Sequence, residues 1–338
     1  MKLKIAVAGT GAIGALMGSY MTREFSDVTM ISIHRKEKAD ELNEMGITME
    51  GYGESFHTEI KAEYLPEIPK EIKYDFIILT MKSNALEEAI PQLLPHLAAD
   101  GIMIQTQNGI NDKTILEYIN EKQLMTAVLF CGGAQISAGK YMNHDGFIYL
   151  GSRGIKDAKK LGEAATCLGC VRKVIVVEDI RYYQWDKLSR VCLSVPTATI
   201  SGLYLGSVFK HPDTQKLFAL LALELFAVAK ADRHPRETVE ERTEEEWRKI
   251  RDGERSGLEG REKEADWPDG IVDAYTKDMK EHQPLEVYYT NGVIAALGRK
   301  YGVTTPVNDM LLEIMRKIER GECKPGLPLL KEMIQKNL

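Results

Sequence analysis

Cysteine is scarce in this chain. Five cysteines among 338 residues are too few for a disulfide scaffold, which excludes the small stapled secreted domains. Long hydrophobic runs are missing too, since none approaches the roughly 18 residues of a membrane span. The apolar stretch LFALLALELFAVA (217–229) is interrupted by Glu224 and reads as a core or interface helix. No excess of positive charge exists: 44 Lys and Arg stand against 50 Asp and Glu, a net charge of −6. That balance argues against nucleic acid or an anionic membrane as partner. The seven histidines are scattered, without H-E-x-x-H or another ligand spacing, so no metal is expected. Cys167-Leu-Gly-Cys170 has no second Cys or His pair to complete a zinc site, and reads as two thiols at a helix end. The opening MKLKIAVAGTG breaks at a glycine after a few apolar residues, unlike a signal peptide. A reduced, cytoplasmic protein of about two domains is the expectation.

What is present begins at the first residues. LKIAVA (3–8) is a short apolar run suited to a strand buried on both faces. Glycines follow at Gly9, Gly11 and Gly14, then the helical ALMGSYMTRE and a second apolar run from Val28. This is a βαβ unit. Strand-like and helical segments alternate onward through KYDFIILTMKS, GIMIQTQNG, FIYLGS and KVIVVED, which predicts an α/β fold with a doubly wound parallel sheet of Rossmann type over residues 1–182. From residue 183 to 338 the segments carry helical periodicity, predicting an all-helical second domain. Within it lies a charged stretch, 233–266, in which 21 of 34 residues are charged, nine basic and twelve acidic. Such a composition predicts a solvated helix or disordered insertion, with a lid or partner contact as the sharper reading.

The run Gly9-Thr10-Gly11-Ala12-Ile13-Gly14 matches G-x-G-x-x-G in the context that gives the motif meaning, between a strand and a helix. Gly9 would form the tight turn, Gly11 would admit a pyrophosphate, and Gly14 would let helix and strand pack closely. Enzymes that use NAD usually carry an acid at the end of the second strand. Here that strand runs into Ser32-Ile33-His34-Arg35-Lys36, and the nearby acid Glu37 is flanked by Lys36 and Lys38. A basic cluster suits the 2′-phosphate of NADP(H), with Arg35 as its fork-shaped partner.

Four further segments, TMKSNALEEAI, TQNGIND, WDKLSRVCLSVPTA and EVYYTNGVIAALGRKYGVTTPVND, together resemble the ketopantoate reductase (2-dehydropantoate 2-reductase) family of pantothenate biosynthesis. The resemblance spans nearly the whole chain apart from the charged stretch. It implies an NADP-binding domain followed by a helical substrate and dimerisation domain. It also implies hydride transfer to the carbonyl of a 2-oxo acid. By the same carry-over Lys187 is the proton-donating lysine and Glu286 the acid that holds it. Asn108 lies between cofactor and substrate, Lys82 lies near the nicotinamide, and Asp278 belongs to the substrate pocket. A lysine in that role fits the chemistry, because an ammonium stabilises a developing alkoxide and then supplies its proton.

The departures bear on the substrate. Where the family has asparagines four and eight residues after the lysine, this chain has Val191 and Val195. Where it has a serine pair before the acid, this chain has Asp273 and Ala274. Replacing hydrogen-bonding groups with valine discriminates against a polar substrate. Three readings therefore stand. The first is a reductase of a 2-oxo acid such as ketopantoate. The second is a reductase of a more apolar ketone or opine-type imine on the same scaffold. The third is a non-catalytic NADP-binding sensor.

Overall fold

The computed structural model of the chain describes residues 3–53, 55–155, 157–257, 274–280 and 283–336. Residues 258–266 of the charged stretch, and Asp273, lie outside the described residues. The chain divides into two compact units, Met1–Gln107 with Asn111–Tyr183, and Asn108–Ile110 with Gln184–Leu338. The three residues Asn108–Ile110, placed in the first domain by the sequence, group with the helical unit.

The first unit is built on eight strands in the order β12-β11-β8-β7-β6-β1-β2-β5. They are β1 (Ile5–Ala8), β2 (Val28–Ser32), β5 (Ala62–Tyr64), β6 (Tyr74–Leu79), β7 (Leu97–Gln105), β8 (Leu124–Leu129), β11 (Phe147–Gly151) and β12 (Lys173–Val176). All neighbours pair in parallel except β8 and β11, which run antiparallel. The doubly wound parallel sheet expected from the sequence is present, with this one antiparallel pair in it. No crossover helix joins β8 to β11; β9 (Gly133–Ser137) and β10 (Lys140–Asn143) lie between them. Without a crossover the chain returns antiparallel. Those two strands join β3 (Ile47–Gly51) and β4 (Phe56–Thr58) in a second sheet, ordered β4-β3-β10-β9.

Helices cover both faces of the large sheet, and β1 shows why. Its alternate residues serve two cores. Ile5 and Val7 pack with Leu16 and Met17 of α1 (Ala12–Glu24) and with other buried residues of that face. Ala6 and Ala8 pack with Leu86, Ile90 and Leu93 of α3 (Leu86–Leu93) on the other. Between these helices lies α2 (Lys36–Met45), and after them come α4 (Asp112–Leu116) and α5 (Ala158–Gly169). A strand buried on both sides must be apolar throughout, which is what LKIAVA provides.

Helix α6 (Ile180–Val191) runs through the division at Tyr183. In the second unit it is followed by α7 (Ser194–Ser201), α8 (Leu205–Val208), α9 (Pro212–Ala231), α10 (Glu244–Asp252), α11 (Ala274–Lys280), α12 (Asn291–Tyr301), α13 (Pro306–Glu319) and α14 (Leu327–Gln335). Helix α9 is the central one, buried at Leu217, Leu221, Leu225 and Val228, with α7, α10, α12, α13 and α14 packed around it. The indole of Trp185 donates to Asp232 Oδ2 at 2.9 Å, and the Tyr301 hydroxyl donates to Oδ1 at 2.7 Å. Among the described residues no helix is long and apolar enough to cross a membrane.

The described part of the charged stretch is folded. Thr243 and Glu246 form a capping box at the start of α10, and Trp247 and Ile250 turn inward to the core. Trp247 Nε1 donates to Val239 O at 2.8 Å, and Arg242 lies over the indole ring. The charges occupy the outer face, where i,i+4 pairs such as Lys249–Glu245 form. High charge density therefore conceals a two-residue apolar stripe that is enough to dock the helix.

Candidate functional site

The carboxyl ends of β1, β2 and β6 are in register, Ala8 lying beside Ile31 and Leu79. Successive strands leave β1 in opposite directions, toward β2 and toward β6, so the crevice beyond β1 is the position where open α/β sheets bind ligands. The glycine run sits there. Gly9 has φ +124°, and a Cβ on it would fall 2.6 Å from Thr80 Oγ1. A Cβ on Gly14 would fall 2.0 Å from the carbonyl oxygen of Gly9. Neither position admits a side chain. A Cβ on Gly11, by contrast, would meet nothing within 4 Å, so this face of the turn is open to a ligand. Helix α1 starts at Ala12 with no side-chain cap and no acid in its first turn. Its leading amides and the positive end of its dipole are available to an anion such as pyrophosphate. These residues fit a dinucleotide. Lys82, half-buried, follows β6 on the same edge of the sheet.

At the end of β2 the basic residues differ in their partners. His34 pairs with Glu88 at 3.5 Å, Lys36 with Glu67 at 2.6 Å, and Lys38 with Glu41 at 2.8 Å. Arg35 is exposed and, among the described residues, in no ion pair. It precedes α2, and Ser32 Oγ donates to its carbonyl at 2.6 Å, which fixes the backbone there. The Arg35 guanidinium is therefore the cation of this cluster that, among the described residues, meets no carboxylate.

The remaining candidates belong to the second unit. Lys187 and Val191 are four apart on α6 and share a helix face; both are half-buried, as is Val195 on α7. Val191 and Val195 pack against the helical core. Glu286, half-buried, opens a single 3-10 turn, Glu286–Tyr289, that leads into α12. Asn291, the first residue of α12, donates from Nδ2 to the carbonyl of Cys192 at 3.0 Å and to Asn308 Oδ1 at 2.9 Å. That bond fastens the turn carrying Glu286 to the end of the helix carrying Lys187. Asp278 is buried on α11, whose Tyr275 hydroxyl bonds Thr290 Oγ1 at 2.8 Å. Helix α11 is thereby tied to the same turn. Asn108, half-buried, groups with this unit.

Joined to this turn through Asn308 is a buried carboxylate, Glu224, which in the sequence is only an interruption of an apolar run. Glu224 Oε1 accepts from the amide of Val307 at 2.7 Å, and Oε2 accepts from the amide and the side chain of Asn308 at 3.0 and 2.7 Å. The carboxylate thus caps α13, and Asn308 passes the constraint to Asn291. Burial pushes the Glu224 carboxyl above the usual range, although its three donors oppose that shift. The sequence signal was a lone acid in LFALLALELFAVA.

Cys167 and Cys170 sit at the end of α5 with both thiols pushed up to about 12, chiefly by burial. They are free, and so protonated near neutrality they are poor redox nucleophiles. Among the described residues no cluster of three or more His, Cys, Asp or Glu could hold a metal ion.

Comparison with known proteins decides the family. The model described as ketopantoate reductase PanE/ApbA matches residues 5–154, and that for the PanE/ApbA C-terminal part matches 179–319. The chain belongs to the ketopantoate reductase family. It is an oxidoreductase of the C=O/CH–OH couple with a dinucleotide-binding domain. Ketopantoate reductase relatives are distant in sequence: the 2-dehydropantoate 2-reductase of Aquifex aeolicus is 24% identical over 342 residues, covering 96% of this chain and 99% of the relative. The fold is shared with D-mandelate dehydrogenase, solved with NADH and anilino(oxo)acetate, at a TM-score of 0.78 and 22% identity over 94% of this chain and 99% of the other. It is also shared with the dimeric ketopantoate reductase of Staphylococcus aureus, at 0.72 and 21% over 95% and 100%.

Proposed function

We propose that the chain is an NADPH-dependent reductase of a 2-oxo acid, with the first unit binding the cofactor and the second binding substrate and forming the dimer contact. The observation that carries this reading is the retention of Lys187 and Glu286 on two elements of one unit that Asn291 fastens together. Lys187 Nζ stabilises the oxygen that becomes an alkoxide and gives it a proton, and Glu286 keeps the ammonium charged and oriented. Asn108 and Asp278 orient the substrate. Gly9 to Gly14 and the start of α1 hold the pyrophosphate, Lys82 lies toward the nicotinamide, and Arg35 holds the 2′-phosphate. NADPH, when bound, supplies the hydride that attacks the carbonyl carbon.

Within that class, Val191 and Val195 favour an oxo compound more apolar than ketopantoate. Each valine offers carbon where a hydroxyl or carboxylate of a polar substrate would need a donor, and an unpaired polar group discriminates by orders of magnitude. A D-mandelate dehydrogenase among the structural relatives supports this second reading. A panel of ketopantoate, branched-chain and aromatic 2-oxo acids, followed by NADPH absorbance, tests both. Turnover that collapses by about a thousandfold in Lys187→Ala is expected; turnover that survives the substitution refutes the assigned role. If the valines exclude ketopantoate, Val191→Asn with Val195→Asn raises its kcat/KM, and an unchanged value removes that explanation. Tight NADPH binding with no turnover on the panel leaves the sensor reading. The compartment proposed is the cytoplasm.

A further inference from the structure

The chain passes between its two units at three places, on either side of Asn108–Ile110 and after Tyr183. All three are close in sequence to one buried ion pair inside the first unit. Asp112, the first residue of α4, accepts from Gln105 Nε2 at 2.6 Å through Oδ1 and pairs with Arg181 Nη1 at 3.4 Å through Oδ2. Gln105 is the last residue of β7 and also donates to Thr126 of β8 at 2.7 Å. Arg181 is in the first turn of α6. Asp179 accepts there from the amides of Arg181 and Tyr182, and the ring of Tyr183 lies 3.8 Å from that of Tyr149. Both charged side chains are largely buried.

We propose that Asp112 and Arg181 are positioning residues for the reaction, pinning together the root of the loop that carries Asn108 and the root of the helix that carries Lys187. This inference rests on the roles proposed for Asn108 and Lys187. From Arg181 to Lys187 is six residues of the same α-helix, about 9 Å along its axis. From Asp112 back to Asn108 is four residues of chain. Arg181 thus holds the root of the helix that carries Lys187, while Asp112 fixes where the loop begins. Each half of the pair is costly to leave buried alone, so the pair holds one arrangement rather than a range. The second-unit part of the helix is separately anchored, through Trp185 to Asp232 and through Asp186 to Arg236.

The variants are Arg181→Gln, Asp112→Asn and the charge-conserving Arg181→Lys, each in the full chain. Asp112→Asn retains an oxygen for Gln105 and removes only the charge. In the two charge-removing variants kcat is expected to fall by about 10–100-fold while NADPH affinity moves less than about threefold, with Arg181→Lys recovering most of kcat. Hydrogen exchange supplies a readout free of turnover: amides of 107–111 and 184–190 exchange faster together, by about tenfold or more, in both charge-removing variants. A lowered melting temperature with kcat and both exchange rates unchanged makes the pair merely structural and overturns the proposal. So does faster exchange in one segment only. If wild-type chain reduces no 2-oxo acid, the proposed function fails, and coupled exchange alone then decides whether the pair joins the two roots.

Discussion

Replacing Glu224 with glutamine tests whether the buried carboxylate is the keystone of the helical unit. The amide keeps the best arrangement if its oxygen takes the place of Oε2, which serves both the amide and the side chain of Asn308. Its NH2 then faces the Val307 amide, a donor against a donor, where Oε1 accepted at 2.7 Å. One orphaned buried N–H costs about 1–3 kcal/mol, and weakening two charge-assisted bonds to neutral ones costs about 1 kcal/mol each. Relief of the carboxylate's desolvation returns part of this, leaving a net loss of about 2–4 kcal/mol. For a unit of this size that lowers Tm by about 4–16 °C. The pH dependence has a definite sign. A carboxyl whose folded pKa is raised binds its proton more tightly in the native state, so stability attributable to it declines as pH rises above the ordinary 4.5 and levels off above the raised folded value. Glu224→Gln lacks that slope, and its deficit relative to wild type shrinks across the same window. Denaturant melts of both proteins at several pH values measure it. A deficit below about 0.5 kcal/mol, within the range of an ordinary surface change, refutes the keystone reading.

Gly11→Ala and Gly14→Ala separate packing from binding. The first leaves the fold intact because its Cβ meets nothing within 4 Å, yet dinucleotide affinity falls by about tenfold or more as a methyl enters the phosphate cradle. The second places a methyl 2.0 Å from the Gly9 carbonyl, so it costs about 1–3 kcal/mol or more in thermal or denaturant melts. Arg35→Ala raises the Kd for NADPH by about 10–100-fold and leaves that for NADH within about threefold; an NADH preference in wild type that persists in the variant refutes the 2′-phosphate role. Cys167 and Cys170, with thiols pushed up to about 12, stay unlabelled by iodoacetamide in the native protein at pH 8 and react only on unfolding. Rapid native labelling refutes their inertness.

The readable parts of the sequence were those where one physical demand fixes residue type. A doubly buried strand must be apolar, so Ile5–Ala8 stood out, and a turn without room for a Cβ must be glycine, so Gly9 and Gly14 did too. The second sheet did not show, because β9 and β4 are short and partly exposed and form no apolar run. The antiparallel return to β11 followed from that hidden sheet. In the charged stretch, composition misleads in a specific way. Two inward residues, Trp247 and Ile250, dock α10, while Glu246, held down at about 2 by the Thr243 amide, Arg255 and the Thr243 hydroxyl, counts as charge yet works as a cap. Pairing was equally hidden. His34, Arg35, Lys36 and Lys38 look alike in sequence, and only the carboxylates of Glu88, Glu67 and Glu41, brought from separate positions, single out Arg35.

The motifs that carry the family resemblance divide by what constrains them. Trp185, Asn291 and Asn308 are buried and hydrogen-bonded within the helical unit, to Asp232, to Cys192 and to Glu224. Any substrate class leaves those demands in place, because breaking them leaves polar groups unpaired in the core. Lys187 and Glu286 are half-buried, and their retention answers to the reaction proposed for them. Val191 and Val195 are half-buried as well, on α6 and α7 near Lys187 in sequence, but their packing against the core asks only for volume. A change at either position therefore costs the fold less than one at Trp185, Asn291 or Asn308. A chain only 24% identical to a ketopantoate reductase can keep the scaffold and the lysine proposed as proton donor while differing at the positions proposed to meet the substrate, and the substitutions seen at 191 and 195 are of the kind this division allows.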